Sequence, residues 1–170
     1  MYMLVYATSS PEDAMPFAES IWKEFADSPA AIDGYLLDMA LFARMAEFPI
    51  EAQRFRDSAA ESLQRRLEVG EAGGDVAYAS ARLALLDGRR DDALQALGRS
   101  IDLGGRDQHM TSNLFFEDLK DDPQFQALAS RMRDTIERER AEVVAMLCGP
   151  DKIVSIYEPA PQTCALYPIQ

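Results

Sequence analysis

The chain is short of the residues from which chemical sites are most often built. It has one histidine, His109, so the paired histidines of an HExxH-type zinc site are excluded, and a lone loop histidine is expected to be solvated. It has two cysteines, Cys148 and Cys164, too few for the disulfide framework of a small secreted domain and at a spacing that fits no zinc pattern. They are expected as two thiols in a reducing cytosol, the alternative being a bridge that ties down the tail. No GxxxxGK phosphate loop, GxGxxG turn or GxSxG elbow occurs. These absences predict a protein that is not an enzyme, with no catalytic residue, no metal and no cofactor.

Positive charge and long apolar runs are also scarce. Against 29 Asp and Glu stand 17 Lys and Arg, a formal net charge of -12 with a pI near 4.5. Nucleic-acid binding depends on basic side chains displacing counterions from phosphates, so no nucleic acid and no anionic membrane is expected as partner, although local basic patches such as Arg65-Arg66 or Arg89-Arg90 remain. The opening MYMLVYATSSPEDA has no basic residue before Lys23 and so lacks the positive region of a signal peptide. No apolar run approaches the roughly 18 residues that span a bilayer. The expected location is cytoplasmic.

What the chain does have is enough apolar residue to fold, 48% against 27% charged in 170 residues. One helical domain over 1–150 is expected, followed by an extended tail over 151–170 that packs on it. Ser10-Pro11-Glu12-Asp13 starts a helix over about 11–27. A second stripe, Ile32, Leu36, Met39, Ala40 and Ala43, is broken at Phe48-Pro49, and a third runs from Ile50 through Leu67 to Gly70. The turn between them is so short that the two helices must be antiparallel. GEAGG at 70–74 reads as a flexible break, after which Asp75 caps a helix stopped by Gly88; Ala93, Leu94, Leu97 and Ile101 face inward from its partner, which ends at Gly104-Gly105.

A short helix carrying Leu114, Phe115 and Leu119 follows, and then Asp122-Pro123 opens a long one. Its stripe is Phe125, Leu128, Met132, Ile136, Val143 and Leu147, with Asp134–Arg138 and Arg138–Glu142 pairs on the opposite, solvated side. One face packs and the other meets water, so this helix is expected to close the end of a stack. The tail, with three prolines and a β-branched run, reads as extended, beside residues 2–6. The acid pairs Asp91-Asp92, Glu117-Asp118 and Asp121-Asp122 fall near helix ends, where exposed amides favour them.

The hairpins repeat. Leu36, Met39, Ala40, Ala43, Ala52 and Ala59 fall over Ala77, Ser80, Ala81, Ala84, Ala93 and Ser100 at an offset of 41, small or apolar at each position. DVAYASARLALLDGRRDDALQALGRSIDLG at 75–104 resembles a tetratricopeptide repeat, with Ala81, the turn glycine Gly88 and Ala93 at that repeat's small positions. Residues 36–69 look like a degenerate copy with a lengthened second helix. LKDDPQFQALASRMRDTIERERAEV is similar to the closing region after such repeats in bacterial multidomain regulators.

The resemblance implies an all-α fold of antiparallel helical hairpins stacked as a short superhelix, with a long capping helix. It further implies a scaffold or regulatory module that binds a protein or peptide partner, or a neighbouring domain of a longer chain, in a concave groove. The repeat's groove positions carry over to Leu37, Leu41 and Arg44 in the first unit and to Tyr78, Arg82 and Leu85 in the second. Arg44 and Arg82 would grip a carboxylate there and Tyr78 would give flat contact area. Reversing the charge of Arg82 is expected to abolish binding without unfolding the chain. Two alternatives stand beside this: a homodimer assembled through the last helix, and a small helical hydrolase or metal protein using His109 with nearby acids such as Asp102 and Asp107.

Overall fold

The computed structural model describes residues 33–107, 109–148 and 164. The helix expected at 11–27, the N-terminal stretch at 2–6 and the tail apart from Cys164 lie outside the described residues. The described chain runs α1 (Asp33–Met45), α2 (Pro49–Glu68), α3 (Gly74–Leu86) and α4 (Arg90–Asp102). Two 3-10 turns follow, Met110–Ser112 and Leu114–Leu119, and then α5 (Pro123–Cys148). The fold is all-α, with no strand among the described residues. α1 packs along α2 and α3 along α4; α3 touches both helices of the first pair, and α5 lies on α4.

The turns explain the pairing. At the end of α1 the Phe48 amide donates to the Ala43 carbonyl at 2.8 Å and that of Glu47 to Arg44 at 3.2 Å. At the end of α3 Arg89 donates to Ala84 at 2.8 Å and Gly88 to Leu85 at 3.0 Å. Both close their helices with the same pair of backward bonds, at the offset of 41. The ends of α2 and α4 share this design, Glu71 to Arg66 and Gly105 to Ser100, but at an offset of 34. The seven-residue difference is the length of the second helix, 20 residues in α2 against 13 in α4. The lengthened helix expected in the first copy is therefore two extra turns of α2.

The core joins Phe55 of α2, Leu37 of α1, Leu97 of α4, Phe116 and Leu119 of the second 3-10 turn, and Phe125 of α5. Ala93, Leu94, Leu97 and Ile101 are buried as expected. The stripe of α5 is shorter than expected. Phe125, Ala129 and Met132 are its buried residues, whereas Val143 is 47% exposed and Met146 42%. At about 1.5 Å per residue a 13-residue α4 can cover only the first half of a 26-residue α5. The Asp134–Arg138 and Arg138–Glu142 pairs do not close within ion-pair distance; α5 instead pairs Arg140 with Glu137 at 3.7 Å and Glu139 with Arg106 at 2.7 Å.

Two further expectations are corrected at the start of α3. Gly73 holds its N-cap position, and no side chain caps it. Asp75 lies inside the first turn, and its carboxylate pairs with Arg66, which also reaches Asp33 at 3.0 Å and Glu71 at 2.6 Å. Nor is Gly74 a loose linker residue. A β-carbon there would come within 2.5 Å of the Gly105 amide nitrogen and 2.9 Å of the Ser100 carbonyl oxygen. The buried Ser100 hydroxyl donates to the Gly74 carbonyl at 2.7 Å. The cap of α5 forms as expected, with the Asp122 carboxylate accepting from the Gln124 amide at 2.7 Å and from Phe125 at 3.2 Å.

Candidate functional site

α1 and α3 present the residues assigned to the groove, but the chain covers half of them itself. Leu37 is completely buried, and Arg82 is 5% exposed. The Arg82 guanidinium donates to Asp38 on α1 and stacks on Phe115, its central carbon 4.2 Å from the ring centroid. Its Nε is buried with no hydrogen-bond partner. The Tyr78 hydroxyl donates to Asp107 and accepts from Asn113 at 3.1 Å, while its ring meets Phe116 edge-on at 5.7 Å. The aromatic pair Phe115-Phe116 thus sits where a guest was expected beside Tyr78 and Arg82.

Arg82 is therefore a buried structural residue rather than an exposed anchor. Its charge reversal would place a carboxylate against Asp38 in the interior, and the clean loss of binding expected from the sequence gives way to unfolding. Burial pushes the Asp38 carboxyl above the usual range, with the Arg82 charge and hydrogen bond pulling the other way. Burial likewise raises the Tyr78 hydroxyl, and the neighbouring Asp107 charge adds to it.

Of the other three predicted residues, Arg44 is exposed and Leu41 and Leu85 are half-buried against the core. Leu41, Arg44 and Leu85 line a cleft of about 490 Å³ at the turn ends of α1 and α3, floored by Phe115 and Leu119, with Asp118 and Arg90 at its edge. Arg44 and Leu86 also wall a second cleft of about 270 Å³, completed by Glu47, Pro49, Gln53 and Arg56 among others. The Arg44 guanidinium is exposed and donates to the Leu86 carbonyl at 3.2 Å. It makes no ion pair to a described residue, whereas Arg90 pairs with Asp122 at 2.6 Å and Arg56 with Asp87 at 2.8 Å. Met45, Phe48 and Ile50 stand exposed at the adjoining turn.

Sequence reasoning missed Glu47 here. Its φ is 61°, in the left-handed region, where the second hairpin has Gly88 at 72°. The available signal was the absence of glycine 41 residues before Gly88.

The two cysteines are joined. Cys148 at the end of α5 forms a disulfide with Cys164, their α-carbons 5.6 Å apart, which corrects the expectation of two separate thiols. The backbone at Cys164 is helical where an extended tail was expected. His109 is exposed just before the first 3-10 turn, its amide donating to Asp107 at 2.8 Å. No group of three His, Cys, Asp or Glu side chains is placed to hold a metal among the described residues. No helix among them is long and apolar enough to cross a membrane.

No family model matches the chain, and neither the curated proteins nor the solved structures searched contain a match to it.

Proposed function

We propose that the protein is a non-enzymatic, tetratricopeptide-like interaction module, cytoplasmic and of the kind found in bacterial regulators, that holds a peptide segment or partner domain in the cleft at the turn ends of α1 and α3. One observation carries this reading. Arg44, which makes no ion pair to a described residue, lines a hollow walled by Leu41, Leu85, Phe115 and Leu119, in a chain that is strongly acidic. Its apolar walls supply contact area and Arg44 supplies a two-pronged donor for a carboxylate. The recognition patch is displaced from the middle of the concave face toward the turns, because Phe115 and Phe116 fill the middle.

Selection of a random peptide library on the immobilised protein tests the reading. Enriched peptides are expected to lose binding to Arg44→Glu and to Met45→Asp, both exposed positions at which thermal unfolding should be unchanged. Failure of any peptide to enrich over blank resin would remove the proposal. The disulfide is the feature that sits least easily with a reducing cytosol, and counting free thiols in protein trapped with an alkylating agent in its native cell tests the location.

One observation favours a second reading, assembly through α5. Val143 and Met146 stand exposed on its outer half, beyond the reach of α4. A dimer in sedimentation that dissociates on Val143→Asp with Met146→Asp would support it; a monomer at millimolar concentration would exclude it.

A further inference from the structure

We propose that the Cys148–Cys164 bond is a reversible redox clasp that keeps the outer half of α5 helical, so that the thiol state of its surroundings sets whether that half is a rigid face or a frayed end. This goes beyond the interaction reading and does not rest on it. The bond sits far from the packed core. Met132 is the last buried residue of α5, and Cys148 lies about 24 Å further along the axis at 1.5 Å per residue. Glu139, through Arg106, is the last residue of α5 to form an ion pair with another described element. A disulfide that braces a weak core joins elements of that core, whereas this one closes a separation of 16 residues at the far tip of a helix.

Residues 140–148 form the part of α5 that α4 does not reach. Packing of an apolar face supplies most of a helix's stability, so an unanchored end frays. Val144, Leu147 and Cys148 share one face and are half-buried, whereas Val143 and Met146 are exposed. The half-buried face is the one to which Cys164 is bonded. Joining the two cysteines removes freedom from the open chain and anchors the helix end. Both are half-buried rather than sealed, so an attacking thiolate can reach the bond. A dithiol reductant supplies the reaction. Its first thiolate attacks one cysteine sulfur and expels the other cysteine as a thiol; its second thiolate closes on its own sulfur in the mixed disulfide and expels the first. Two electrons and two protons pass to the protein, and the reductant leaves as its own disulfide. The buried core keeps its contacts while the helix end loses its anchor. Val143 and Met146, three residues apart, lie on one face only while the helix is formed, so any contact that uses both belongs to the oxidised chain.

Hydrogen exchange of the full chain, read by mass spectrometry on peptic fragments, tests the clasp in oxidised protein and in protein reduced with dithiothreitol. Amides of 140–148 are expected to exchange at least about tenfold faster after reduction, while those of α1 to α4 change by less than about twofold. Reoxidation should restore the slow exchange, and the double variant Cys148→Ser/Cys164→Ser should exchange fast in both conditions. Unchanged protection of 140–148 on reduction would show that packing alone holds the helix end, and would overturn the proposal. Loss of protection throughout α1 to α4 would overturn it as well, by making the bond a brace of the whole fold. A bond that stays closed in excess dithiothreitol while the fold is native would do the same. No peptide partner enters any of these readouts, so their outcome leaves the interaction module as it stands.

Discussion

Glu47 is the residue at which local strain can be measured directly. An L-residue in the left-handed region costs roughly 1–2 kcal/mol, part of which glycine recovers before its own greater chain entropy is counted. A β-carbon is the source of the strain, so Glu47→Gly is expected to stabilise the fold by about 0.5–1 kcal/mol, read as a higher denaturant midpoint at unchanged slope. A lower midpoint would mean that the side chain makes a stabilising contact. Arg82 presents the opposite case. Arg82→Ala strands the Asp38 carboxylate in the interior and empties the space above Phe115, which should cost about 3–5 kcal/mol. Replacing both partners by leucine should cost markedly less than the single change, because neither charge is then buried alone. Equal losses in urea unfolding for the single and double variants would show that the pair itself is not what is being broken.

Among the elements, the junction of α3 with the end of α4 leaves no room for a β-carbon at either Gly74 or Gly105. Gly74→Ala would push a methyl group into the backbone at Gly105 and Ser100 and should cost about 1–3 kcal/mol, visible as a lower melting temperature. Wild-type stability for this variant would mean that the two chain ends can part without loss. This junction also shows what could be read in advance. The helices from α1 to α5, the turns at Phe48-Pro49 and Gly88, and the Asp122 cap were legible, because apolar spacing, proline and glycine act within a few residues of themselves. The pair of offsets, 41 and 34, was half legible: matching residues gave the first, while the second needed the helix ends in space. Gly74 was misread as slack, because a glycine required by a close approach and a glycine in a linker are the same letter. The filled groove was not legible either. Spacing puts Leu114, Phe115 and Leu119 on the short helix but does not single out Phe116, and a six-residue 3-10 turn has too little period to say which hollow its side chains enter, so three of the six groove residues were assigned to a surface that the chain covers itself.

At the scale of the whole molecule, the packed units are stitched by arginines from one to carboxylates of the next, and this dictates the response to acid. Arg66 holds Asp75 and Arg56 holds Asp87, both joining α2 to the second hairpin; Arg90 holds Asp122 and Arg106 holds Glu139, both tying the second hairpin and its exit to α5. In each case the hydrogen bond from the arginine is the main cause that keeps the carboxyl below its usual range. A group with a lowered folded value is protonated more readily in the unfolded chain. The stability it contributes is complete above the ordinary carboxylate range, about 4, and is lost as pH falls through the lowered values. Asp38 has the opposite sign: its raised value means that protonation in acid relieves a cost of burial rather than removing a contact. Titrating the net charge of -12 toward the pI near 4.5 also relieves self-repulsion. The urea midpoint is therefore expected to hold or rise slightly from neutral pH to about 5, then to fall steeply below about 4, where four stitches outweigh one relieved aspartate. Asp38→Asn should remove the relief and leave the steep fall in place. A midpoint that keeps rising down to about pH 3 would show that repulsion, rather than the arginine stitches, governs how firmly the units are held together.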